Sequence, residues 1–68
     1  MAQRLSREEA DALAERMLRY RARTKKTQLQ VATECGLSKA TWNYVETKSM
    51  LPTKKTAMQI EIGIDGEK

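Results

Sequence analysis

Residues 28–46, QLQVATECGLSKATWNYVE, decide the fold of this chain. Thr27 precedes the stretch and can cap a helix, and Gly36 ends that helix because glycine adopts the left-handed conformation at low cost. Ser38 can cap a second helix over residues 39–47. The stretch therefore predicts two short helices joined by a turn of three to four residues.

The same residues meet the packing demands of two steeply crossed helices. Ala32 supplies a small residue where the helices approach most closely, and Gly36 tolerates the positive φ that the turn requires. Apolar residues have the spacing to point inward from both helices and the turn: Val31, Cys35, Leu37, Trp42 and Val45. Together these features predict a helix-turn-helix unit over residues 28–47, whose second helix enters the DNA major groove.

A longer helix is predicted on the N-terminal side of this unit, over residues 7–22. Ser6 and Glu9 have the spacing of a capping box, while acids near the helix start and arginines near its end complement its dipole. Residues at helical spacing mark its inner face: Ala10, Leu13, Ala14, Met17 and Arg21. Tyr20 lies beside this stripe and is expected to be partly buried.

A fourth helix is predicted on the C-terminal side. Pro52 and Thr53 mark its start, and the helix is expected to continue to about Ile62. A loose apolar stripe indicates its inner face: Ala57, Met58, Ile60 and Ile62. The segment as a whole is short and polar, so its helix is the least strongly patterned of the four.

Length and composition fit one small helical domain over residues 1–68. A chain of 68 residues buries about 60% of the surface that its unfolded form exposes. Its apolar residues are mainly aliphatic, and three glycines and one proline are too few for the turns of an all-β domain. We expect a small all-α fold of four to five helices, four being favoured, with residues 1–5 and 65–68 disordered.

The charge balance and residue inventory narrow the function. Thirteen Lys and Arg residues against nine Asp and Glu give a net charge of +4 and a pI near 9.5, which suits a polyanion binder and equally a soluble domain with a modestly positive surface. The chain has no histidine, a single cysteine and no Gly-rich phosphate loop. We therefore expect no enzymatic activity, no metal, no cofactor and no small-molecule substrate.

Cys35 cannot form an internal disulfide, and we interpret it as a small buried hydrophobe rather than a redox sensor. No run approaches the roughly 18–20 apolar residues of a membrane helix. The N-terminus also lacks the apolar stretch of a signal peptide. A cytoplasmic protein with no membrane partner is expected.

The motif Gln28-x-x-Val31-Ala32-x-x-x-Gly36-Leu37-Ser38, followed by Trp42-x-x-Val45-Glu46 and then Pro52, resembles the Xre/Cro-like family of phage-repressor-like helix-turn-helix domains. The resemblance covers roughly residues 13–52. It implies an ion pair between Arg21 and Glu46 that ties the first helix to the end of the third.

Three features depart from the family pattern. Lys26 stands where the family usually has an apolar residue just before the second helix. The segment after Pro52 is shorter and more polar than the family's fourth helix, and the chain ends before the fifth helix that many members use for packing or dimerisation. These departures concern the dimer interface rather than the DNA-reading unit.

The resemblance implies roles for individual residues of this chain. Candidates for reading bases lie on the outward face of the third helix: Lys39, Ala40, Asn43 and Tyr44. Candidates for phosphate contacts are Thr27, Gln28, Ser38, Thr41 and Lys48, with Lys54 and Lys55 as weaker ones. Structural roles fall to Arg21, Ala32, Gly36, Trp42, Val45 and Glu46.

These roles predict a sequence-specific transcriptional regulator, preferentially a repressor, that binds a palindromic operator in double-stranded DNA as a homodimer. The alternative keeps the fold and changes the partner. In that alternative the chain is a protein-interaction module, such as an antitoxin or adaptor, that uses its first and fourth helices, and the polar face of the third helix is ordinary solvated surface.

Overall fold

The computed structural model describes residues 3–65, and these form four α-helices without a β-strand. The helices in chain order are α1 Arg7–Thr24, α2 Gln28–Glu34, α3 Lys39–Glu46 and α4 Lys54–Asp65. The predicted small all-α fold is confirmed. None of these helices is long and apolar enough to cross a membrane.

Side-chain caps begin all four helices. Each cap hydroxyl accepts a hydrogen bond from the backbone N–H three residues later, and the caps are Ser6, Thr27, Ser38 and Thr53. Glu9 and Gln30 complete capping boxes at α1 and α2 by accepting from the backbone N–H of the cap residue. Each cap contributes about 1 kcal/mol, so the sequence fixes the helix starts locally.

Left-handed residues end the first two helices. Lys25 ends α1 with φ of 60°, and its N–H donates to the carbonyl of Arg21 at 2.7 Å. The helix is therefore two residues longer than predicted. After α2, Gly36 has φ of 74°, and the Leu37 N–H donates to the Ala32 carbonyl at 2.8 Å. This second arrangement is a Schellman motif, which satisfies the last carbonyls of α2 as it turns the chain toward α3.

The core lies between the four helices, and each of them contributes buried apolar side chains to it. The predicted inward residues of the helix-turn-helix unit are buried, except that Leu37 is only partly covered. On α1 the predicted apolar stripe is confirmed, and Tyr20 is almost fully buried rather than partly so. Arg21 lies at the edge of this stripe and is half-buried.

The inner face of α4 differs from the prediction. Ala57, Ile60 and Ile64 are buried, whereas Met58 and Ile62 are exposed. The buried residues follow an i, i+3, i+7 spacing, which the helical period favours over the predicted set. Residues two positions apart point to nearly opposite sides of a helix, so Met58 and Ile62 cannot share a face with Ile60. The predicted stripe was therefore wrong at Met58 and Ile62.

Gly63 lies inside α4 and does not end it, so the helix continues past the predicted boundary at Ile62 to Asp65. A Cβ at Gly63 would overlap the sulfur of Cys35. The glycine therefore permits α4 to approach the end of α2 closely, and the Cys35 sulfur lies 4.0 Å from the Ile60 carbonyl oxygen.

The N-terminal segment is held against the loop before α4. The Leu5 N–H donates to the Pro52 carbonyl at 2.9 Å, and the Lys54 N–H donates to the Gln3 carbonyl at 2.7 Å. Leu5 also packs against the core. The expectation of disorder at both ends stays a prediction: residues 3–5 lie against this loop and Asp65 ends α4, and its other positions lie outside the described residues.

Candidate nucleic-acid interface

Helix α3 has one buried face and one open face. Trp42 and Val45 are buried on the inner side. The predicted base-reading residues share the opposite side: Lys39, Ala40 and Tyr44 are exposed, and Asn43 is half-buried. Tyr44 leaves 50% of its surface exposed, which makes it the largest side chain on this face.

Glu46 anchors the inner side of α3. Its Oε1 accepts from Arg21 Nη1 at 2.6 Å, and its Oε2 accepts from Trp42 Nε1 at 2.5 Å. The Glu46 side chain is only 5% exposed, so both its oxygens need these partners. The ion pair implied by the resemblance is therefore present, and it fixes the end of α3 against α1.

Gln28 extends this network from the start of α2. Its Nε2 donates to Asn43 Oδ1 at 3.0 Å and to Glu46 Oε1 at 3.3 Å. Since both amide hydrogens are used within the fold, the predicted side-chain contact with phosphate requires these bonds to break. In the free protein Gln28 instead orients Asn43, and the Nδ2 group of Asn43 has no acceptor among residues 3–65. Residue spacing gave no signal for this contact, because the two residues are 15 positions apart.

The hydroxyls predicted to contact phosphate serve first as helix caps. Thr27 and Ser38 accept backbone N–H bonds, and the Ser38 and Thr41 hydroxyl oxygens lie 2.9 Å apart. A hydroxyl that accepts as a cap keeps a donor hydrogen. Thr27 and Ser38 are exposed and Thr41 is half-buried, so capping does not remove them from the surface.

Lys48 follows α3 in a left-handed turn, with φ of 65°. Its carbonyl accepts from Arg7 Nη1 at 3.2 Å, and Arg4 Nη1 donates to the Leu51 carbonyl at 2.6 Å. Two arginines from the N-terminal part of the chain thus hold the loop after α3. The Lys48 side chain is exposed on a turn with a fixed backbone.

Lys26 occupies a position that is usually apolar in the Xre/Cro-like family, which the chain resembles. Its Nζ lies 2.8 Å from Glu34 Oε2 and donates to the Tyr20 hydroxyl at 3.2 Å. It also lies 5.5 Å from the centroid of the Tyr20 ring, within the range of a cation–π contact. An ion pair and a ring contact thus replace apolar packing between α1 and α2.

Positive charge is concentrated in the part of the chain that contains α3. Between Glu34 and Glu61 the one acid is Glu46, which is buried and paired with Arg21. The same interval carries four exposed lysines without an ion pair among residues 3–65: Lys39, Lys48, Lys54 and Lys55. Elsewhere the surface acids are largely balanced by arginines, as in the contacts of Arg16 with Glu61 and Asp65. The excess charge therefore belongs to α3 and the segment after it.

Metal and thiol chemistry have little support in the described part of the chain. Residues 3–65 contain no group of three or more His, Cys, Asp or Glu side chains that could hold a metal ion. Burial raises the pKa of the Cys35 thiol, and the neighbouring Glu34 carboxylate adds to the shift. A buried thiol with a raised pKa is a poor nucleophile, in agreement with its interpretation as a small apolar residue.

Comparison with protein-family models, with curated proteins and with solved structures finds no match for this chain. The resemblance to Xre/Cro-like domains stays a prediction drawn from the motif over residues 28–46 and Pro52.

Proposed function

We propose that this chain is a sequence-specific DNA-binding protein that inserts α3 into the major groove and regulates transcription, preferentially as a repressor. The observation that carries the proposal is the two-sided character of α3. Trp42 and Glu46 fix its inner side, while Lys39 and Tyr44 stand open on the other. A rigid helix with an open polar face fits the dimensions of the major groove.

Each side chain on the open face matches a feature of base edges. Lys39 can donate to guanine O6 and N7, and Ala40 can contact a thymine methyl group. Asn43 keeps its Nδ2 donors for a base or phosphate acceptor, because Gln28 occupies only its Oδ1. Tyr44 can lie against sugar and phosphate or reach a base edge. The proposed readout thus combines charge, hydrogen bonding and apolar contact.

Phosphate contacts supply the remaining affinity in this proposal. Thr27 can donate its hydroxyl hydrogen. The Ser38–Thr41 pair can donate one hydrogen, since their mutual hydrogen bond uses the other. Lys48 adds an exposed ammonium group on a fixed turn. We assign Gln28 to orienting Asn43 rather than to direct contact. The lack of exposed acids between Glu34 and Glu61 removes a source of repulsion from the phosphate backbone.

A fluorescence-anisotropy titration with labelled duplexes of random sequence tests the proposal. We expect micromolar binding at about 50 mM salt that weakens steeply by about 200 mM, because each neutralised phosphate releases a counterion. Absence of binding at the lower salt would exclude the proposal. It would leave the interaction-module alternative, which the exposed Met58 and Ile62 on α4 favour.

Two single-charge variants locate the contact surface. Lys39→Ala removes a donor from the open face of α3 and is expected to lower DNA affinity about tenfold, at the lower end of the range for a base contact. Arg19→Ala removes the same charge from a side chain that is 79% exposed on α1 and lies near Glu15. Both variants should keep wild-type circular dichroism, and equal loss of affinity would show that net charge, not α3, drives binding.

A further inference from the structure

The outer face of α4 carries an ordered stripe of four residues. Lys55, Met58, Ile62 and Asp65 are all exposed and are separated by three, four and three positions. At about 100° per residue they fall within an arc of about 80°, on the side of the helix away from Ile60. Met58 and Ile62 leave 59% and 64% of their surfaces exposed, so the middle of the stripe is apolar and is not covered by any of residues 3–65.

The stripe is complementary to the same stripe of a second copy that runs in the opposite direction. Its charges run from a cation at Lys55 to an anion at Asp65, with the two apolar residues between them. A two-fold axis at the level of Ile60 brings Lys55 opposite Asp65 of a second copy and Met58 opposite Ile62. Both pairings have the same centre, so one axis satisfies the charged and the apolar contacts together.

The charged ends of the stripe are able to make these contacts. Lys55 has no ion pair among residues 3–65, and Asp65 uses only its Oδ2 in the contact with Arg16, at 2.6 Å. The Asp65 side chain is 62% exposed, and a carboxylate can accept from two cations at once. The intrachain pair with Arg16 therefore holds Asp65 in place without using all its acceptor capacity.

Other exposed apolar residues do not form a comparable surface. Leu18 on α1 and Leu29 on α2 are both exposed, but neither has an exposed large apolar residue three or four positions away on its own helix. Isolated apolar side chains are normal on a protein surface. The α4 stripe differs because its apolar pair is adjacent and flanked by opposite charges.

We propose that α4 packs antiparallel against α4 of a second copy of this chain, with Met58 and Ile62 at the centre and Lys55–Asp65 ion pairs at both ends. The proposal goes beyond the proposed function by naming an interface for the homodimer that the sequence predicts, and pairing through α4 does not require DNA. One short helix from each chain makes a small interface, so the Kd lies between about 1 µM and about 1 mM.

Sedimentation equilibrium of the whole chain without DNA tests this interface. We expect wild type to shift from monomer toward dimer as its concentration rises through about 1 mM. Ile62→Lys should remain monomeric, because it places two cations in the apolar centre. Leu29→Lys makes the same chemical change at another exposed position and should associate as wild type does. Wild type that stays monomeric throughout, or equal effects of the two variants, would overturn the proposal.

Charge reversal tests the antiparallel register. Lys55→Asp places an anion opposite Asp65 of the partner, and we expect it to weaken association at least fivefold. The double variant Lys55→Asp with Asp65→Lys restores opposite charges across the axis and should recover most of that loss. Circular dichroism of each variant controls for folding, since Asp65→Lys also removes the contact with Arg16. Failure of the double variant to recover while folded would overturn this register. Because these measurements contain no DNA, they can fail without affecting the DNA-binding proposal.

Discussion

At the scale of single residues, Glu46 determines how α3 is held. Its buried carboxylate accepts from Arg21, Trp42 and Gln28, which belong to three different helices. Burial of a charged group is tolerated only when its hydrogen bonds and its countercharge are both present. The side chains around Glu46 thus orient α3 more than they stabilise it.

Removal of the countercharge should reveal this dependence. Arg21→Met leaves the Glu46 carboxylate buried without its cation, and we expect a loss of about 2–3 kcal/mol, below the roughly 3–5 kcal/mol of a fully buried pair because Arg21 is partly exposed. Urea denaturation followed by circular dichroism measures the change. Arg19→Met, in an exposed pair with Glu15, should change stability by no more than about 0.5 kcal/mol, and equal effects would contradict this account of Glu46.

Glu9 links the start of α1 to pH. Hydrogen bonds from the Ser6 backbone and side chain lower its pKa from 4.5. A lowered folded-state pKa contributes stability that is present above the unfolded-state value and is lost as pH falls through the folded-state value. Glu9→Gln keeps an acceptor for the cap but does not titrate. We expect wild type to lose more stability than Glu9→Gln between pH 6 and pH about 3, and parallel pH profiles would contradict the assignment.

At the scale of residues, the sequence predicted the helix caps well. It predicted the side-chain hydrogen bonds between helices poorly. Ser6, Thr27 and Ser38 cap their helices through contacts three residues away, so a local pattern contains the whole interaction. The Gln28–Asn43 contact joins two helices, and it depends on a crossing geometry that no local pattern specifies. The Arg21–Glu46 pair was predicted only because the chain resembles a known family.

At the scale of helices, α2 and α3 follow their predicted bounds closely, whereas α4 does not. Side-chain caps and the turn at Gly36 define the bounds of α2 and α3. In α4, the sequence alone allows Gly63 either to end the helix or to permit a close approach of α4 to another helix. The position of Cys35 next to Gly63 shows that the second role applies. The sequence predicted that α4 exists but not which of its faces is buried, because its apolar residues occupy both sides.

A double-mutant cycle tests the close approach of α4 to α2. Gly63→Ala gains about 1 kcal/mol of helix propensity but forces its new methyl group against the Cys35 sulfur, which costs about 1–3 kcal/mol. In a Cys35→Ala background the sulfur is gone, and the new Cβ at position 63 lies 3.4 Å from the Cβ of residue 35. We therefore expect Gly63→Ala to be neutral or destabilising in wild type and stabilising in that background. Thermal denaturation of the four proteins measures the coupling, and additive effects would contradict the contact.

At the scale of the whole molecule, two surfaces have different characters. The side of α3 is basic and polar, while the outer face of α4 combines an apolar centre with opposite charges at its ends. If the α4 pair forms, its two-fold axis relates two copies of α3. A symmetric dimer of this kind should select inverted repeats about one helical turn apart, roughly 34–36 Å between half-site centres.

Selection of binding sites from a random DNA pool tests whether pairing through α4 leads the protein to bind inverted repeats. Wild type is expected to select inverted repeats, and Ile62→Lys is expected to select single half-sites of the same sequence. A single asymmetric site selected by wild type would contradict the coupling of the two surfaces, even if α3 reads DNA.

The central claim is that the open face of α3 contacts DNA, and amide chemical-shift mapping tests it most directly. A titration of isotopically labelled protein with a selected duplex should shift the resonances of Lys39, Ala40, Asn43 and Tyr44 the most. The residues Thr27 and Ser38 should follow as neighbours of the phosphate backbone. Saturating DNA that leaves the four α3 resonances unchanged would contradict the claim, whichever other residues moved.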